Sequence, residues 1–115
     1  MLGLVALCVI GGLIAIQGCD APPVSVTFRT SLIDGYVLQL HNRSNNRVVA
    51  RVYVENKVRN QTMQRSFGVA PNEMQEIGLL EADWKFEPGE NGYVEVDGFI
   101  QKIYFEIGEG NYKTW

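Results

Sequence analysis

A thiol, a single imidazole, two groups of carboxylates and a set of large aromatic rings are the side chains of this sequence that can do chemistry. Cys19 closes an uncharged apolar run, residues 2–16, and Asp20 opens a polar stretch directly after it. A thiol is a nucleophile that can be covalently modified. His41 is the only histidine. A catalytic role would need an activated Ser or Thr beside it, and a metal site would usually need more imidazoles. Ser31, Ser44 and Ser66 stand in no G-x-S-x-G context. Strand alternation puts His41 on a solvated face with Gln39.

Glu73, Glu76, Glu81 and Asp83 form one acidic group, and Glu87, Glu90, Glu95 and Asp97 a second. Paired acids can hydrolyse glycosidic bonds, and loop carboxylates can hold Ca²⁺. Neither group matches a D-x-D-x-D-G loop. A domain this small also has little room for a deep cleft. Solvated charge that keeps sheet edges from pairing is the expected role. No catalytic residue, metal site or cofactor is expected, and the chain does not read as an enzyme. Among the aromatics, Tyr53, Trp84, Tyr93 and Tyr104 fall on or near outward positions, with Phe86 beside Trp84. Such rings can stack on sugars or anchor a partner protein. Alternatively, Trp84 and Phe86 cap the core while the tyrosines make cross-strand pairs. Trp115 belongs to a stretch expected to be a loose tail.

The elements that must position these residues read as strands. Val24, Val26 and Phe28 alternate with Ser25, Thr27 and Arg29; Tyr36, Leu38 and Leu40 alternate with Val37, Gln39 and His41. Val48, Ala50, Val52 and Val54 give the clearest period of two. Further strands are expected over residues 63–69, 75–80, 93–97 and 99–107, with Phe67, Val69, Ile77, Leu79, Val94, Val96, Ile103, Phe105 and Ile107 inward. Asp34-Gly35, Pro71-Asn72, the 87–92 cluster and Asp97-Gly98 are turns. About seven short strands with turns every 8–12 residues and no convincing helix predict an all-β, antiparallel two-sheet sandwich. Leu40-His41-Asn42-Arg43-Ser44, a strand running into an N-x-S turn, and Ala70-Pro71-Asn72-Glu73, a proline-led turn, resemble features of small immunoglobulin-like domains in bacterial envelope proteins. That resemblance implies an immunoglobulin-like sandwich and no particular function. Asn42-Arg43-Ser44 and Asn60-Gln61-Thr62 are also glycosylation sequons, which matter only in a eukaryotic secreted protein.

Ile16-Gln17-Gly18-Cys19, at the end of the apolar run, resembles the lipobox of bacterial lipoproteins. The resemblance implies removal of residues 1–18 as a signal peptide and a diacylglyceryl group on Cys19, now the N-terminus. Gln17 departs from the small residue usual there, and no Lys or Arg precedes Arg29. An uncleaved single-pass anchor is the alternative, with a run just short of a full span. The expected organisation is signal peptide 1–18, acylated cysteine and linker 19–23, sandwich 24–108 and tail 109–115. All 10 basic and 13 acidic residues follow Cys19, so the domain carries the net charge of −3. That balance argues against nucleic acid and against docking on anionic lipid head groups. The only other cysteine, Cys8, lies in the apolar run, so no disulfide within the domain is possible. The expectation is a non-catalytic structural or protein-binding lipoprotein on the periplasmic or extracellular face of a bacterial membrane. A carbohydrate-binding module is its rival, as is a single-pass membrane protein with the same sandwich. The envelope protein or glycan it would contact is unnamed by the sequence.

Overall fold

The computed structural model describes residues 21–33 and 35–115. The signal or anchor segment, Cys8, Cys19 and the Asp34 half of the first turn lie outside the described residues. The elements in order are β1 (Val24–Ser31), β2 (Gly35–Asn42), β3 (Val48–Asn56), β4 (Gln61–Val69), β5 (Met74–Ile77), α1 (Leu79–Ala82), β6 (Asn91–Val96), β7 (Lys102–Ile107) and β8 (Tyr112–Thr114). They make a three-stranded sheet, β1-β2-β5, and a five-stranded sheet, β4-β3-β6-β7-β8. Every pairing is antiparallel. This order is that of an immunoglobulin-like sandwich whose fourth strand has joined the sheet of the third, sixth and seventh. Its core lies between the sheets and is built by alternation. Val48, Ala50, Val52 and Val54 of β3 are buried while Val49, Arg51, Tyr53 and Glu55 are half-buried on the other face.

The expected all-β two-sheet sandwich of about seven strands is what the structure has, with eight strands and one helical turn among the described residues. Three expectations need correction. The strand expected over 75–80 stops at Ile77, because the Gly78 N–H donates to Glu81 Oε1 at 2.8 Å and starts α1. Leu79 is therefore exposed rather than inward. The strand expected from residue 99 begins at Lys102, since Phe99 N–H donates to Val96 C=O at 3.0 Å and closes the Asp97-Gly98 turn. Residues 109–115 are not a loose tail. They turn back through Gly110, at φ 77°, and pair with β7 as β8. The buried Tyr36 fastens that turn: its hydroxyl donates to Gly108 C=O at 3.0 Å and accepts Gly110 N–H at 2.9 Å.

The two motif turns of the sequence meet in space. Asn42 is fully buried, and its Nδ2 donates to the carbonyls of Asn46, Val69 and Ala70 while its Oδ1 accepts from Ser44 N–H and Oγ. Asn72 N–H donates to Ser44 C=O at 3.0 Å. One side-chain amide thus ties β2 of one sheet to the end of β4 in the other, satisfying carbonyls that would otherwise be costly to bury. An amide so enclosed has no room for a glycan. The register places this junction at the end where β1 begins, with the 97–101 turn. The 57–60, 83–90 and 108–111 segments lie at the far end.

Candidate functional site

The outer face of the five-stranded sheet carries a row of four aromatic rings. Tyr53 of β3 faces Tyr93 of β6, and Tyr93 faces Tyr104 of β7. Tyr104 is joined to Trp115, just past β8, by reciprocal backbone hydrogen bonds of 2.9 and 3.0 Å. Antiparallel register with period-two side chains leaves all four on one line across the strands, about 14 Å long at the usual strand spacing. Ring centroids are 5.1, 5.9 and 6.3 Å apart along the row. Lys102 Nζ sits 4.4 Å from the Tyr93 ring centre, a cation–π contact. Tyr104 is 43% and Trp115 63% exposed, so that end of the row is open to a partner.

The row is not a flat platform. Tyr53 and Tyr93 are inclined by only 24° at 5.1 Å, too close to lie side by side, so their faces overlap. Tyr93 and Tyr104 meet edge to face at 63°. Charged rows flank the rings. Arg51 bridges to Glu95 at 3.2 Å and to Asp97, and these carboxylates, Glu95 first, raise its pKa. Glu55, Asn91 and Glu106 align on the other side.

Trp84 and Phe86 do not join this face, which corrects their placement on a binding surface. Trp84 is 9% and Phe86 1% exposed. Their segment runs over the far end of the core, where Phe86 bridges to Tyr36 and packs edge-on to Phe28 at 5.9 Å. The indole N–H of Trp84 donates to Glu90 Oε1 at 3.0 Å. Glu90 is fully buried and accepts from Asn56 Nδ2 at 2.8 Å, Arg59 Nη2 at 3.3 Å and the Glu87 N–H at 3.0 Å. Arg59 also covers the Trp84 ring at 5.0 Å. The carboxylate is fully partnered, so burying it is tolerable.

The other candidates are dispersed. His41 is exposed, opposite Ser25 and Met74. Most of the acids have structural partners: Glu76 with Arg29 and Gln39, Asp83 with Arg65, Glu87 with Arg59, and Glu81 at the helix cap. Among the described residues no three His, Cys, Asp or Glu side chains converge as a metal site, and no helix is long and apolar enough to cross a membrane. Sequence reasoning finds Tyr53, Tyr93 and Tyr104 but misses Trp115. The Gly108-Glu109-Gly110-Asn111 turn before Tyr112-Lys113-Thr114 is a hairpin signal that reveals it. Glu90 reads as solvated charge in the sequence, because a carboxylate in a Pro-Gly-Glu turn has no local mark of burial. The chain matches no protein-family model, no curated protein and no solved structure.

Proposed function

We propose that this chain is a bacterial lipoprotein, held on the extracytoplasmic side of a membrane by lipid on Cys19, whose sandwich is a non-catalytic module that docks a partner protein through the row Tyr53, Tyr93, Tyr104 and Trp115. The observation that carries the proposal is the exposed end of that row on a regular antiparallel sheet. Large rings with polar tips contribute much contact area at small entropic cost, which is what protein-binding surfaces use. The lipid supplies high local concentration at the bilayer, so even weak contacts would be occupied.

Glycan binding is the weaker reading. Sugar stacking needs ring faces turned outward together, whereas Tyr53 and Tyr93 face each other and Trp84 lies in the core.

Two measurements test the proposal. Fatty-acid labelling in cells should mark the wild type and spare Cys19→Ala; equal labelling removes the lipid anchor. A photoreactive phenylalanine at Trp115 should capture one discrete neighbour in cells, and the same group at Thr27, on the opposite sheet, should not. Equal capture at both positions would dismiss the aromatic row as a docking face.

A further inference from the structure

The five-stranded sheet has two edges of unequal character. β8 spans three residues and carries Lys113, whereas β4 spans nine. Among the described residues β4 pairs only with β3. That register runs unbroken from Val48 and Val69 to Asn56 and Gln61, so no bulge interrupts the strand. β4 holds no proline and no lysine, and Arg65 is its only charge. Arg65 turns back on its own chain, its Nε donating to the Ala82 carbonyl at 2.8 Å. Gln61, Thr62, Gln64 and Ser66 are exposed. Bulges, prolines, lysines and short length are devices that keep an edge from pairing, and β4 has none of these.

We infer that β4 pairs antiparallel with β4 of a second copy of this chain, about a two-fold axis at Gln64. Residues opposed in an antiparallel pair share a face, so the axis must pass through one residue. An axis at Arg65 would set two guanidiniums against each other, which destabilises a strand pair. The Val69 end is already engaged. Its carbonyl accepts from Asn42 Nδ2 at 3.1 Å, and Arg47 fills the space where a side chain at Gly68 would stand. An axis at Gln64 avoids both and opposes residues 61–67. Thr62 then faces Ser66 of the second copy and Gln64 faces Gln64, polar pairs that can hydrogen-bond across the strands. Arg65 faces Met63, so no charge meets its like.

The same register favours an identical chain over a foreign strand. Gln64 stands opposite Tyr53, the inner end of the aromatic row. The two rows therefore fall on one line across ten strands, joined by the glutamine pair. A foreign strand would supply backbone hydrogen bonds without that continuity. Pairing leaves both Trp115 ends open, roughly 40 Å apart at the usual strand spacing. It needs neither the lipid nor the Trp115 contact proposed above.

The test uses the full chain in cells under mild oxidation, with dimers read on non-reducing gels. Opposed Cα atoms of an antiparallel pair lie about 4.5–5.5 Å apart, within reach of a disulfide. Gln64→Cys should give roughly fivefold more dimer than Thr62→Cys, whose sulfur would stand several residues from its own counterpart. Thr62→Cys/Ser66→Cys should match Gln64→Cys. The wild type, with Cys8 and Cys19, sets the background. Gln64→Lys opposes two cations at an exposed position and should sediment in mild detergent as one chain. Mixing it with Gln64→Glu should restore the pair. A Gln64→Cys dimer no stronger than that of Thr62→Cys, or a wild type that sediments as one chain, overturns the pairing. Trp115 is remote from the axis, so its capture of a neighbour reports on the docking row separately.

Discussion

Trp84 and Phe86 at the far end, and Tyr53, Tyr93, Tyr104 and Trp115 on the five-stranded sheet, are two aromatic groups of opposite fate. The first is enclosed and bonded to a buried carboxylate; the second lies on a wet face and its rings contact one another. What separates them is backbone, not residue type. A ring in a strand has its side fixed by its neighbours' parity, because successive side chains point to opposite faces. A ring in the 83–90 segment has no such rule, and its position follows from what the sandwich end leaves open. One group closes the core, and the other leaves Tyr104 and Trp115 exposed on the sheet.

Removing the enclosed ring should break that contrast most severely. Trp84→Ala empties a large core volume and leaves Glu90 without its indole donor. Its expected cost is about 3–5 kcal/mol, from the usual range for deleting a buried Trp. That is a large share of the roughly 5–15 kcal/mol that holds a typical domain together. Urea melts of wild type and variant check it. A loss below about 1 kcal/mol would show that Trp84 is peripheral after all.

Much of the fold is legible in the residues alone. The period of two in β3, the Asp97-Gly98 turn and the N-x-S junction at Asn42 each specify local backbone, and local backbone is what periodicity and turn chemistry report. Position in the third dimension is less legible. Val37 reads as outward, yet it is buried. The register places Arg29 and Glu76 on the strands either side of β2, so their 2.7 Å bridge crosses the face where Val37 and Gln39 stand. The aliphatic stem of an Arg shields apolar surface while its head stays charged. Three of the four rings in the row follow from alternation, but their contact depends on which strands become neighbours. β3 and β6 are separated in sequence by β4, β5 and α1. No local pattern reports that pairing. Glu90 is the least legible, since its burial is decided by Asn56, Arg59 and Trp84 arriving from elsewhere.

The exposed group sharpens the contrast when it is removed without loss of fold. Tyr104→Ala/Trp115→Ala deletes the accessible end of the row and leaves every core side chain in place. Cross-strand aromatic pairs of this kind contribute about 0.5–1 kcal/mol each. The expected outcome is a stability loss near 1 kcal/mol, or about 4–8 °C in Tm for a domain of this size. Capture of the neighbour in cells should vanish, with the photoreactive group moved to Tyr53. Retained capture would sever the row from docking, and a collapse as large as that of Trp84→Ala would make it part of the core.

The outer face of the other sheet supplies the smallest effect and the control. There Thr27, Gln39, Glu76 and Arg29 form a polar chain, with Glu76 accepting from Arg29 at 2.7 and 2.9 Å and from Gln39 at 2.8 Å. Arg29, then Gln39, lower the Glu76 pKa from its ordinary 4.5 to about 2. A carboxyl depressed by folding stabilises the native state above its ordinary value, and that contribution is lost as pH falls through the native one. Glu76→Gln removes the titration. The wild type should therefore melt slightly above Glu76→Gln at neutral pH, with the gap closing between about pH 4.5 and 2. Because both side chains are partly exposed, added salt should narrow the gap as well. Thermal melts across that range read the gap directly, and one that stays constant with pH would mean that Glu76 acts through packing rather than charge. Capture at Trp115 should be unchanged in this variant, since neither aromatic group touches the Glu76 chain.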